Sequence, residues 1–130
     1  MRRLLLWIPA CTWMAVIFYA SSVPGDEITI HVWDKLLHLG VYSVLGICFL
    51  LATANGRRSQ VTVKAAVLAV LLATAYGVTD EFHQNFTPER TPDVMDVLAD
   101  TLGATVGVTA IGVLRFAYEK GATRWLQRTS

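Results

Sequence analysis

The chain is expected to be all-α, an integral membrane four-helix bundle with both termini cytoplasmic. Three observations point there. Hydrophobic residues make up 54% of the 130 residues, more than a soluble domain of this size usually carries. They gather into four stretches, each near the ~20 residues that a helix needs to cross ~30 Å of hydrocarbon. The basic residues alternate between the connections in the pattern that orients membrane proteins. A single domain over residues 1–130 follows, with helices at about 4–20, 36–54, 61–79 and 94–118 and a basic cytoplasmic tail at 119–130.

The first helix follows Arg2 and Arg3 and has the form of a signal peptide, but bulky Phe18 sits where cleavage needs a small residue, so it is read as uncleaved. A lipid-modified Cys11 is set aside because the apolar run before it is short and holds Pro9. Cys11 and Cys48 both lie in apolar stretches without metal-ligand spacing and are read as small core residues. Ser21, Ser22 and Pro24 end this helix. The second begins with Asp34 and Lys35, then His38 one turn on and Tyr42 on the same face. The connection after it, residues 55–60 with Gly56, is short and polar and carries no expected site.

The third helix has a stripe of Ala69, Ala73, Gly77, Asp80 and Gln84, small at one end and polar at the other. In the fourth, the run from Thr101 to Leu114 would rise only about 21 Å at ~1.5 Å per residue, too little to cross the hydrocarbon. The helix must start earlier and so include Asp96 and Asp100. An unpaired charge facing lipid costs several kcal/mol, so both should face protein or water. Asp96, Asp100, Gly103 and Gly107 share one stripe, and the Gly103-x-x-x-Gly107 pair permits close backbone approach. The third and fourth helices are expected to pack along these stripes and open into a shared polar pocket.

Arg2, Arg3, Arg57, Arg58, Lys64, Arg115, Lys120, Arg124 and Arg128 fall on the side that this pattern makes cytoplasmic, leaving Lys35 and Arg90 outside. The acids sort the other way: Asp26, Glu27, Asp34, Asp80, Glu81, Glu89, Asp93, Asp96 and Asp100 lie outward and only Glu119 inward. Any chemistry of carboxylates therefore faces out. The net charge of +1 gives no bias toward nucleic acid. The lipid bilayer is the expected environment, with the tail on anionic headgroups and Trp7, Trp33 and Trp125 as interfacial anchors.

The densest chemistry runs from Asp80, Glu81, His83 and Gln84 to Arg90, Asp93 and Asp96. Beside a bilayer this set suits a phosphorylated lipid, with Arg90 and Lys35 on the anion and His83 with Asp80 or Asp96 as an acid–base pair. It also suits a divalent cation held by carboxylates and histidine. The competing reading is an ion-pair network that pins the outer connections, with Asp26, Glu27, Glu89 and His31 as loop residues. No nucleophile motif, phosphate loop or zinc signature selects a reaction.

The order Ser21-Ser22-x-Pro24, Asp34-Lys35-x-x-His38 with Tyr42, Asp80-Glu81-x-His83-Gln84, Arg90-x-x-Asp93-x-x-Asp96, then Gly103 and Gly107 resembles the VanZ-like family over about residues 13–107. The resemblance implies a bacterial plasma-membrane protein of the cell envelope, in a family named for a member that raises resistance to the glycopeptide teicoplanin. It implies no particular reaction. The family's usual asparagine one turn after the last aspartate is Asp100 here, which adds a charge. The expected pocket lining is Asp34, Lys35, His38, Asp80, Glu81, His83, Gln84, Arg90, Asp93 and Asp96, facing outward toward a phosphorylated lipid or lipid-linked envelope precursor.

Overall fold

The computed structural model describes residues 2–24, 34–57 and 61–129, with side chains described for 3–24, 34–57 and 61–122. Asp26, Glu27, His31, Trp33 and Arg58 lie outside the described residues, as do the side chains of Arg2, Arg124, Trp125 and Arg128. The elements are α1 (Arg2–Leu5), α2 (Ile8–Ser21), α3 (Asp34–Thr53), α4 (Val63–Gln84) and α5 (Val94–Thr129). No strand occurs among the described residues. Four stretches, Arg3–Ser21, Asp34–Thr53, Val63–Gln84 and Val94–Ala122, are long and apolar enough to cross a membrane. Their outer faces carry exposed Leu36, Leu71, Phe82, Leu102 and Val113, an apolar surface too continuous for water and suited to lipid.

Three boundaries differ from the sequence reading. The first span is broken at Leu6 and Trp7, because Pro9 has no N–H for the carbonyl of Leu5 and its ring crowds that carbonyl. The third helix continues five residues past Thr79, so residues 80–84 form its last turn and carry the polar end of its stripe beyond the apolar run. The fourth continues beyond the expected end at 118 through the basic tail to Thr129. In both extensions the apolar run ends while helix formation, which needs only backbone bonds and tolerable propensity, does not.

Local chemistry starts the helices. Thr62 Oγ1 accepts from the Ala65 N–H at 3.2 Å to cap α4, and Asp93 Oδ1 accepts from the Met95 N–H at 2.8 Å at the start of α5. Asp34 in the first turn of α3 places negative charge at the positive end of that helix.

The core is built on α3, with Tyr42, Leu45, Phe49 and Leu50 against Ala65, Ala69 and Ala73 of α4 and Ala104 and Val108 of α5. The α3–α5 contact is close enough to bring the two backbones together. A Cβ on Gly103 would lie 2.9 Å from the Leu39 Cα, and one on Gly107 would lie 2.9 Å from the Ser43 carbonyl carbon. Only glycine permits that approach. The Ser43 hydroxyl, donating to the Gly103 carbonyl at 2.9 Å, fastens the pair. The small stripe of α5 therefore packs on α3, where the sequence reading sets it against the third helix. A stripe reveals which face is close-packed, not which neighbour fills it. The third-helix stripe of Ala69, Ala73, Gly77, Asp80 and Gln84 is buried as expected. The first span packs more loosely, held by the Trp13 indole donating to the Val41 carbonyl at 2.9 Å and the Tyr76 hydroxyl donating to the Met14 carbonyl at 2.6 Å.

Candidate functional site

The end of the bundle rich in carboxylates is where the close of α2, the first turn of α3, the last turn of α4 and the first turns of α5 meet. The lysine there is committed within the protein. Lys35 Nζ is 2.5 Å from Asp93 Oδ2 and 2.5 Å from Asp96 Oδ1, joining α3 to the start of α5. The hydrogen bond from Lys35 holds the Asp93 carboxyl below its ordinary range, assisted by the bond from the Met95 N–H. Glu81 Oε2 accepts from the Asp93 N–H at 2.8 Å and ties the same point to α4. Lys35, Glu81, Asp93 and Asp96 thus form a latch that clamps three helices together.

One turn deeper, His38 Nδ1 is 2.9 Å from Asp100 Oδ1. Asp100 is fully buried, and Oδ2 of its carboxylate lies where a Cβ on Gly77 would be, so the glycine of α4 makes room for the aspartate of α5. The Tyr42 ring lies nearly parallel to the His38 ring, 6.3 Å away.

Beside the latch lies a cavity of about 390 Å³. Ile17, Ala20, Val23, Leu37 and Val41 give it apolar walls, while Asp34, His38, Tyr42, Asp80, Gln84 and Arg90 supply polar groups. Arg90 makes no ion pair among the described residues, and its side chain is held only by a long donation from Nε to the Val23 carbonyl at 3.4 Å. Asp80 Oδ2 accepts from the Gln84 amide at 3.3 Å.

The residues expected at a site therefore divide. Asp34, His38, Asp80, Gln84 and Arg90 line the cavity; Lys35, Glu81, Asp93 and Asp96 make the latch next to it. His83 joins neither set: its Nε2 is 3.0 Å from Ser22 Oγ, and its ring stacks on Phe18 at 4.3 Å. Among the described residues the imidazole in contact with a carboxylate is His38, and its partner Asp100 does not stand among the expected lining residues. The sequence does carry a signal for Asp100, a charge inside an apolar helix four residues after Asp96.

Four buried oxygens lack a partner among the described residues: Tyr42 Oη, Asp80 Oδ1, Glu81 Oε1 and Asp100 Oδ2. Each such group costs about 1–3 kcal/mol, so several together at one end single that end out as a candidate site. Asp34, His38 and Asp96 each offer one ligand atom within 4.8 Å of the others, the set that could hold a cation.

Searches of curated proteins and of solved structures found no significant match. The VanZ/LLP1 family model matches residues 6–115. That span takes in α2 to α4, most of α5 and every latch and cavity residue named above, and it agrees with the resemblance carried by the sequence motifs: the chain is a multi-pass membrane protein that belongs to the VanZ/LLP1 family.

Proposed function

We propose that the cavity binds the phosphorylated headgroup of a lipid-linked cell-envelope component at the outer face of the bacterial plasma membrane. The observation that carries this reading is Arg90, a guanidinium without a carboxylate partner among the described residues at a cavity whose other walls are largely apolar. A planar fork of donors beside an apolar recess suits a phosphate attached to an acyl or prenyl chain. The outward direction is supported by the distribution of basic residues. In this reading Lys35 does not bind the anion, because Asp93 and Asp96 already hold it. His38, oriented by Asp100, is the imidazole available to a bound ligand.

The latch favours a second role for the other half of the cluster. Lys35, Glu81, Asp93 and Asp96 are joined to one another and to backbone, the arrangement expected of structural glue in a membrane interaction module. The two readings separate by residue. Native mass spectra of the chain released from its own membranes in mild detergent should show a phosphorylated-lipid adduct on the wild type. Arg90→Ala at equal folded yield should weaken it about tenfold or more, from the loss of a charge-assisted pair. An adduct retained in full by Arg90→Ala would sink the assignment of Arg90 and move the weight to the interaction module. A link to glycopeptide resistance rests on the family alone and would require the same Arg90 variant to change teicoplanin susceptibility at normal yield.

A further inference from the structure

We propose that Asp34, His38 and Asp96 form a binding site for one divalent transition-metal ion of the Zn2+ or Mn2+ type. Asp34 and His38 stand one turn apart on α3, and Asp96 faces them from α5; one ligand atom of each lies within 4.8 Å of the others. Ligand atoms around a tetrahedral ion at bond lengths of ~2.0–2.2 Å sit about 3.4 Å apart, so the set needs a closure of roughly an ångström. The exposed side chain of Asp34 is free to supply most of it.

The histidine keeps one ring nitrogen clear of its carboxylate partner. His38 Nδ1 is engaged with Asp100 Oδ1 at 2.9 Å, so Nε2 is the ring nitrogen left to coordinate. A carboxylate behind the imidazole is the usual outer partner of a metal-bound histidine, fixing its tautomer and raising its basicity. Asp96 meets Lys35 through Oδ1, so its second oxygen remains. An imidazole with two carboxylates selects Zn2+ or Mn2+ over the all-oxygen cages that Ca2+ and Mg2+ prefer.

A second observation is independent of that geometry. Tyr42 and Asp80, 1% and 4% exposed, line the same cavity as Asp34 and His38, and Tyr42 Oη and Asp80 Oδ1 have no partner among the described residues. Charge points the same way. Lys35 is shared between Asp93 and Asp96, and neither Asp34 nor Asp80 has an ion-pair partner among the described residues. In a bilayer such a deficit is expensive, and a divalent ion reduces it. The inference does not depend on the lipid reading, although a cation here would also offset the repulsion that Asp34 and Asp80 offer to a phosphate.

The test uses the full chain in detergent, stripped with chelator and titrated with ZnCl2 or MnCl2 alone while heat of binding and thermal unfolding are recorded. The expected result is one equivalent bound with a rise in Tm. The affinity should fall at least tenfold in Asp34→Asn and in His38→Gln, and stay unchanged in His83→Gln. Asp34 is exposed, so its variant keeps the test decisive should His38→Gln fail to fold. No binding by the wild type overturns the proposal. So does equal binding by Asp34→Asn, or an equal loss in His83→Gln, since either puts the ion elsewhere.

Discussion

The two ends of the α3–α5 interface are joined by opposite means. Toward the middle of the bundle the helices touch through glycine, with Gly103 and Gly107 against the backbone of Leu39 and Ser43 and Gly46 against Ala104. At the acidic end they are joined through ionisable side chains, Lys35 to Asp93 and Asp96 and His38 to Asp100. The glycine contact is complementary in shape and satisfied in hydrogen bonds. The charged end is neither, since it keeps buried oxygens without partners among the described residues. One region is organised for holding, the other carries the proposed ligand site, and substitutions should separate them.

The largest effect is expected at the glycine contact. Gly103→Leu forces a side chain into the Leu39 backbone, which side-chain motion cannot relieve, and overpacking of this kind costs about 3 kcal/mol or more. Monodisperse protein in size-exclusion chromatography should be largely lost. A Cβ added at Gly112 would meet nothing within 4 Å, so Gly112→Ala should leave the protein as stable or slightly more stable, by up to ~1 kcal/mol. Equal damage from both would mean that helix–helix distance is not what Gly103 protects.

Next is the latch. Lys35→Met strands Asp96, a buried carboxylate, and should lower unfolding stability by about 2 kcal/mol, less than for a fully enclosed pair because the lysine is partly exposed. Adding Asp96→Asn removes the stranded charge and should recover most of the loss. Failure of the double variant to recover would show that Lys35 acts through something other than this pair. Arg90→Ala lies at the other extreme of this end: its weak contact to the Val23 carbonyl predicts a stability change within about 0.5 kcal/mol, so its consequence should appear in ligand binding alone.

These contrasts explain what could be read from the sequence. Four spans were legible because length and apolarity carry that information directly. The burial of Asp96 and Asp100 followed from the cost of charge in lipid. The roles within the acidic cluster were not legible, because Lys35 and Arg90 are equivalent as cations near one membrane level. Only the spacing between α3 and α5 shows Lys35 bonded to two carboxylates while Arg90 is left at the cavity. The same holds for the two histidines. His38 and His83 both sit at helix ends among acids, and helix rotation turns one toward Asp100 and the other onto Phe18. Periodicity ranks faces on one helix; it does not say which faces meet.

The smallest effect concerns pH and isolates the charge of Asp93 from its capping role. The groups facing Asp93 are Lys35 and His38 of α3, Glu81 of α4, whose carboxylate accepts the Asp93 N–H, and Asp96 in the first turn of α5. The Lys35 hydrogen bond lowers the folded-state pKa of Asp93 below its ordinary value. A carboxyl lowered on folding binds fewer protons folded than unfolded, so its contribution is complete above the ordinary carboxylate range and is lost as pH falls through the folded-state value. The Asp93→Asn variant keeps an oxygen for the Met95 N–H and removes only the charge. Thermal unfolding of wild type and Asp93→Asn should differ slightly near neutral pH, with the wild type more stable. The gap should narrow with added salt, because Asp93 is half exposed, and close as the solution is acidified below the carboxylate range. A gap that persists unchanged in acid would show that Asp93 acts through something other than its charge and leave the Lys35 bridge resting on Asp96 alone.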